Sequence, residues 1–492
     1  MKVLSTVALL TFVVGCSVTE KPFTISDRQQ RVSADLSAMF DGQEPIDGPI
    51  TIGEAIARAL SYNLDHRLKQ MEAAVAVKQY DFSKYGMLPR LVARAGYSER
   101  SNDPGARSID LATGEESLPP SSSQERETDT SNLVLTWNIL DFGLSYYTAK
   151  QNSNQIYIAE ERRRKTIQNI SQDVVDAFWK AWMSQTLEPK IEALLAETRN
   201  ALEKSRSLVE RGIQNSNDGL RTQGAMLNTI NTLIEMRERI NLSKTRLAAL
   251  INVPPGSDYQ IAVPTSLDIP STIHQSLDSL TKLALLNRPE VNEESYRKRI
   301  SELDVKKTFL KLFPNVSLTA GYYRDENTFL VNNNWNVVGW DITWNLLGIF
   351  QANSEKKFNK AQVDLSDARR LSLSLAVITQ VYLSASRYEL ARARYAAASG
   401  LYKVRSSLAR NSAAQGSRVS GMQELEARSA SIASELRRNL AFAETQAAFA
   451  RVINSLGIDP LPTTVKSYDL KVLSEAFDKR WSSMAKGVLS DF

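Results

Sequence analysis

The sequence predicts a mixed α and β protein in which long antiparallel helical hairpins carry two pairs of amphipathic strands, all built from one unit copied twice. Three observations predict it. A strand ending, Leu133-Val134-Leu135-Thr136-Trp137-Asn138, returns as Trp340-Asp341-Ile342-Thr343-Trp344-Asn345. A second strand stands ahead of each copy, beginning at Leu88-Pro89 and reaching Gly96-Tyr97, then beginning at Phe313-Pro314 and reaching Gly321-Tyr322. The offsets are 314 − 89 = 225 and 344 − 137 = 207, so the first copy has the longer loop between its strands. Finally, stretches of sixty-odd residues almost free of proline follow each strand pair. A period of about two hundred residues is a duplicated half, far longer than a solenoid repeat.

The N-terminus opens with Met1-Lys2, then an apolar run from Val3 to Val14 that is too short to span a bilayer. It reads as an export signal over residues 1–15. Val13-Val14-Gly15-Cys16 resembles the bacterial lipobox, whose cysteine becomes the lipidated first residue, carrying palmitate among its acyl chains. Ser17 follows, and not the aspartate that favours retention at the inner membrane. Cys16 is the only cysteine, so its modification leaves no thiol for disulfides or catalysis. Residues 16–49 read as a polar, extended N-terminal extension.

The first repeat is expected over residues 50–256. Ile56, Ala59, Leu60 and Leu64 share a helical face within residues 50–87, and Pro89 ends that segment. Leu91, Ala93, Ala95 and Tyr97 alternate with Val92, Arg94, Gly96 and Ser98, a period of two. Residues 101–130 hold Asp-Pro-Gly, Pro-Pro and a serine run, a long exposed loop. Leu133, Leu135, Trp137 and Ile139 form one face of the next strand. A rod from about Leu144 to Arg211 contains only Pro189. Leu195, Leu202 and Val209 recur every seven residues, and Leu233, Ile240 and Leu247 answer them on the return helix, as in coiled-coil seams. The tip turn falls at Gly212 to Gly219, and Asn252 to Gly256 close the unit.

The second repeat is expected over residues 257–460 in the same order. Val316, Leu318, Ala320 and Tyr322 oppose Ser317, Thr319 and Gly321. Val338, Trp340, Ile342, Trp344 and Leu346 oppose Gly339, Asp341, Thr343 and Asn345. Its rod runs from about Gln351 to Asn411, its tip lies near Ala413 to Gly421, and Leu456 to Pro460 end it. Residues 461–492 form a C-terminal tail.

Each strand has an apolar face with aromatic ends and a polar back, the pattern of a transmembrane barrel. Four strands cannot close one, and an open edge in lipid leaves backbone groups unsatisfied. The chain must therefore oligomerise, and a ring of such chains encloses a conduit. Trp137, Trp340 and Trp344 are the expected membrane-interface aromatics.

The composition excludes other classes. Across 492 residues the net charge is +5, with acidic and basic residues interleaved, so no nucleic-acid footprint appears. In the densest cluster, Glu160 to Lys165, i,i+4 spacing of Glu160 with Arg164 and Glu161 with Lys165 points to a solvated helix face. The two histidines, His66 and His274, have no metal-ligand spacing, and no glycine-rich phosphate loop follows a strand. No enzyme, metal or cofactor is expected. A periplasmic coiled-coil scaffold would fit the hairpins but leave the strands unexplained.

From about Ile50 to Pro460 the chain resembles the TolC-type outer-membrane efflux proteins, as a lipoprotein member. Both proline strand starts and both Thr-Trp-Asn strand ends match. The family's Asn-Pro helix signature is partly kept at Asn63-Leu64 and Asn287-Arg288-Pro289. Its Phe-Asp-Gly-Gly turn survives in part at Leu140-Asp141-Phe142-Gly143 and is lost at Leu346-Leu347-Gly348-Ile349. The tip motif appears as Gly212-Ile213-Gln214-Asn215-Ser216-Asn217-Asp218-Gly219-Leu220, and diverges over residues 416–427. The resemblance implies a homotrimer with a twelve-stranded barrel in outer-membrane lipid and a twelve-helix periplasmic tube. It implies a periplasmic adaptor and an inner-membrane transporter as partners, the channel itself being passive. Asp218, Glu424 and Glu426 are then the candidate pore-tip residues. Small-molecule, multidrug-type efflux is the favoured cargo, with type I protein secretion as the alternative.

Overall fold

The computed structural model describes residues 21–116, 119–213, 215–264, 266–415, 421–462 and 469–487. The export signal and Cys16 lie outside the described residues.

Helix α1, Ile25–Met39, corrects the expectation of an extended N-terminal segment. Thr24 and Asp27 form a capping box there, each satisfying the other's backbone N–H. The expected helix over 50–87 is two helices, α2 (Ile52–Tyr62) and α3 (Leu64–Lys84), with a short 3-10 turn after them. Asn63 makes the break: its Oδ1 accepts from the N–H groups of Asp65 and His66, which caps α3.

Strands β1 (Arg90–Glu99), β2 (Glu127–Asn138), β3 (Asn315–Asp325) and β4 (Asn334–Thr343) form one antiparallel sheet in the order β1-β2-β3-β4. Register places Trp137, Leu318 and Trp340 in one row, and Asn138, Ser317 and Asp341 in the next. Every residue of one row therefore faces the same side, because side chains alternate along each strand. The outer edges of β1 and β4 have no strand partner among the described residues.

Ile139 begins helix α4 (Ile139–Glu210) instead of ending the strand, and α4 contains Pro189. Its return is split into α5 (Ser216–Asn241) and α6 (Ser243–Leu250) at the exposed Leu242, yet Leu233, Ile240 and Leu247 all remain buried as the heptad spacing predicts. After α7 (Leu277–Asn287) and α8 (Pro289–Leu310), the sheet is followed by α9 (Gly348–Ala414) and α10 (Gly421–Ser455). At 72 and 67 residues, α4 and α9 are rods of roughly 100–110 Å.

Near the sheet, α3 packs on α4, and α8 lies between α4 and α9. Toward the tip, α5 packs on α4, and α10 lies between α4 and α9. The result is a wall four helices wide, continuing a sheet four strands wide. Among the described residues no helix is long and apolar enough to cross a membrane.

Midway along the rods, two apolar clusters fill the wall. One gathers Phe178, Trp179, Trp182 and Phe442, with Trp179 and Phe442 edge to face at 4.9 Å. The other gathers Val381, Tyr388, Phe449 and Val452. Helix α11 (Leu470–Ala485), within the expected tail, joins them through Phe477 and Trp481, which stack at 5.6 Å.

Candidate channel wall, membrane belt and tip

One face of the sheet carries Leu91, Ala93, Leu133, Leu135, Trp137, Leu318, Tyr322, Val338, Trp340 and Ile342, as register requires. The large residues among them are exposed. The other face carries Arg94, Asn132, Thr136, Asn138, Ser317, Thr319 and Asp341. Asn345 falls past β4, where its Oδ1 accepts from the Gly348 N–H and turns the chain into α9. This apolar-polar division is the pattern of transmembrane barrel strands.

Trp137 and Trp344 sit where the sheet meets the helices. Trp137 Nε1 donates to the Met87 carbonyl at 3.3 Å, and Trp344 Nε1 to the Leu312 carbonyl at 3.2 Å. Trp340 stands in the row of Trp137 and Leu318. All three indoles are solvent-exposed in the single chain.

The middle of the wall is clamped by charge. The Glu160–Lys165 cluster is not a solvated face. Its local pairs are i,i+3, Glu160 with Arg163 and Glu161 with Arg164, and its basic residues reach into the second repeat. Arg162 meets Glu293 at 2.8 Å, Arg164 meets Asp459 at 3.0 Å and Lys165 meets Glu290 at 2.9 Å. The hydrogen bond from Arg163 holds the Glu160 carboxyl below the usual range. Burial pushes the Lys165 ammonium down, with nearby Arg288 adding to it. Glu161 is raised by its burial against the pull of Arg164.

The two repeats close in the same way. Asn63 Nδ2 donates to the Leu250 carbonyl at 3.1 Å, and Arg288 Nη1 to the Asn454 carbonyl at 3.2 Å. Residues 63 and 288 differ by 225, the offset of the first strands. Each return helix ends in a left-handed residue, Asn252 at φ 57° and Gly457 at φ 71°. The N–H that follows each bonds five residues back, Val253 to Ala248 and Ile458 to Ile453.

At the tip, Gly212 at φ 69° ends α4, and Asn215 caps α5 by accepting from the Asn217 N–H. The tip turn is thus shorter than expected, and Gly219 lies inside α5. Asp218 is exposed in the first turn of α5. Glu424, half-buried in the first turn of α10, lines a cleft of about 700 Å³ with Asn200, Lys204, Thr222 and Met226. Glu426 is exposed. Asp218 is not among the residues that line that cleft, and residues 416–420 of the divergent stretch 416–427 lie outside the described residues. Among the described residues none of the three carboxylates forms an ion pair. What sequence reasoning missed is the clamp and α11, whose partners lie far away in the chain.

The chain is thus a duplicated sheet with one apolar face, set on a wall of paired rods. Residues 55–253 match the model of the family "Outer membrane efflux protein". No curated protein matches this sequence. The fold is similar to the Campylobacter jejuni CmeC outer membrane channel, at 14% identity and TM-score 0.65, covering 95% of this chain and 99% of that one. It is similar to the open-state Neisseria gonorrhoeae MtrE outer membrane channel, at 15% identity and TM-score 0.64, covering 85% and 96%. The Vibrio cholerae outer membrane protein VceC matches at 13% identity and TM-score 0.60, covering 82% and 96%. Over residues 55–253 the chain thus matches the outer-membrane efflux protein model, and its fold of long helices carrying a four-stranded sheet is similar to that of these outer-membrane channels.

Proposed function

We propose that three copies of this chain form the passive outer-membrane conduit of a tripartite export system. The carrying observation is the pair of sheet edges, β1 and β4, that have no strand partner among the described residues and that lipid cannot leave open. Three copies of four strands give a twelve-stranded barrel. The wall has matching apolar margins: Leu64, Leu68, Met71, Val75 and Phe82 are exposed along α3, and Phe358, Leu365, Leu375, Leu383 and Leu390 along α9. These spacings suit helix seams between copies.

In this reading Cys16 carries the lipid anchor, Trp137, Trp340 and Trp344 sit at the interface of the outer membrane, and Asp218, Glu424 and Glu426 ring the periplasmic mouth. A periplasmic adaptor docks at the tips, and an inner-membrane transporter supplies the energy. The cargo is small molecules of the multidrug type. Crosslinking in cells from the tips, near Asp218 and Gly421, tests this. Capture of an adaptor with a proton-driven pump supports it. Capture with an ATP-driven exporter instead moves the cargo to a secreted protein.

A further inference from the structure

Helix α1 is well made, but the other described residues bury none of its side chains. Ile25, Val32, Leu36 and Met39 recur at spacings of seven, four and three, one face of a helix. No residue of α1 is buried; Ile25, Val32 and Leu36 are 74%, 48% and 59% exposed. An isolated helix of 15 residues is marginal in water, so this stripe needs a surface.

Among the described residues the helix is pinned at its C-terminal end. Asn252 Nδ2 donates to the Met39 carbonyl at 2.7 Å, and Gln43 Nε2 to the Asn252 carbonyl at 2.8 Å. Arg58 then holds the carbonyls of Glu44 and Pro45. The anchor lies on the margin formed by α3, α5 and α6, which pack on α4, whereas α9 forms the opposite margin. In a closed ring, the α3 margin of one copy meets α9 of the next.

Height along the wall fixes where α1 falls. Arg246 pairs with Asp176, and α6 runs back along α4, so Asn252 lies level with about residue 170. That is roughly 47 Å below Ile139, where the sheet ends. Residues 16–24 fully extended reach about 30 Å and α1 adds about 22 Å. A lipid anchor at Cys16 is therefore reached only if α1 points up the wall, parallel to α9.

The repeat offset of 207 sets residue 170 level with about residue 377 of α9. Just above, α9 exposes Leu375, Leu371 and Leu365, at 65%, 62% and 41%. The differences 375 − 36 = 339, 371 − 32 = 339 and 365 − 25 = 340 agree, so one register joins all three pairs.

We propose that α1 of each copy lies along α9 of the next, seating Leu36 on Leu375, Val32 on Leu371 and Ile25 on Leu365, and so clasps the seam between copies. This rests on the trimer and lipid-anchor readings. The test oxidises full-length protein carrying Leu36→Cys with Leu375→Cys in the outer membrane. Each single substitution is run beside it, since Cys16 is present throughout. The oligomer is weighed by native mass spectrometry in the same sample. A ladder of disulfide-linked dimers and closed trimers is expected, absent for Gln30→Cys with Leu371→Cys, where Gln30 is on the far face of α1. An intact trimer that yields only unlinked or internally linked monomers overturns the clasp while the trimer stands. A monomer on the native scale overturns both.

Discussion

The indole of Trp344 donates its N–H to the carbonyl oxygen of Leu312, and the indole of Trp137 does the same to Met87. The donors differ by 207 residues and the acceptors by 225, the two offsets of the repeat. Each bond ties the end of a strand to the turn that begins its partner. An indole at a membrane boundary buries its ring in the interface and keeps a polar end, so this bond fixes both depth and direction. The two bonds seat the sheet on its helical wall at two equivalent points.

Replacing either indole by phenylalanine keeps the apolar ring and deletes the bond. Trp344→Phe and Trp137→Phe should each cost about 1 kcal/mol of barrel stability. The double variant should lose close to the sum, because the sites are well separated. Folded barrel resists denaturant on gels until heated, so the temperature at which that band disappears is the readout. Unshifted bands in both single variants would show that the indoles serve only as membrane anchors.

The ends of the two return helices make a sharper contrast. A Cβ on Gly457 would stand 2.7 Å from the Asn287 backbone carbon and 2.8 Å from the Arg288 nitrogen. Neither backbone atom can give way, and φ is already left-handed. Gly457→Ala should therefore cost roughly 3 kcal/mol or more and lower the yield of folded channel. Its counterpart Asn252 tolerates the same backbone with a side chain, so Asn252→Gly should cost about 1 kcal/mol, mainly the bond to Met39. Urea unfolding of the two variants side by side checks the order. Equal losses would mean that the close approach at Gly457 relaxes freely.

Much of this architecture can be read from residue patterns, and the exceptions have physical causes. The strands are legible because period-two alternation appears four times in matched pairs. The seam at Leu233, Ile240 and Leu247 is legible because heptads persist through the break at Leu242. Helix α11 is not, although Leu470, Leu473 and Phe477 are spaced for a helix. Its partner is α2, and the contact forms where Gly53 lets Asp478 and Ser474 approach. The charged cluster misleads for the same reason. Arg164 has a glutamate nearby in sequence but also binds Asp459, and no local rule reaches 295 residues along the chain. At the tip, Glu424 is named readily as an acidic residue, whereas its place in a cleft beside Lys204 depends on three helices meeting.

His66 makes stability depend on pH. It is buried at the start of α3, and its Nδ1 lies 2.7 Å from the Leu60 carbonyl, so Nδ1 carries the proton that is donated. Burial pushes its pKa below the usual value of 6.5, with Arg163 pushing the same way and Glu160 opposing. Below about pH 6.5 the unfolded chain takes up a proton that the folded chain refuses. Stability is thus fully present above that pH and is lost as the pH falls toward the depressed folded value. Thermal melts of wild type should decline across this window, and those of His66→Gln should decline less. Parallel curves would assign the acid sensitivity to the carboxylates of the clamp.

The proposed periplasmic mouth gives the last prediction. A ring of like charges at a narrow entrance concentrates counter-ions and sets selectivity. Asp218 and Glu426 are exposed, while Glu424 shares its cleft with Lys204, whose charge offsets part of its field. Glu424→Gln with Glu426→Gln should lower cation selectivity in a planar bilayer under a salt gradient, moving the reversal potential toward zero. Within the pair, Glu426→Gln should account for the larger share, and Asp218→Asn should add to it. Raising the salt should shrink all these shifts, since exposed charges are screened. Reversal potentials unchanged in the double variant would remove these residues from the conduction path and place the constriction elsewhere along the rods.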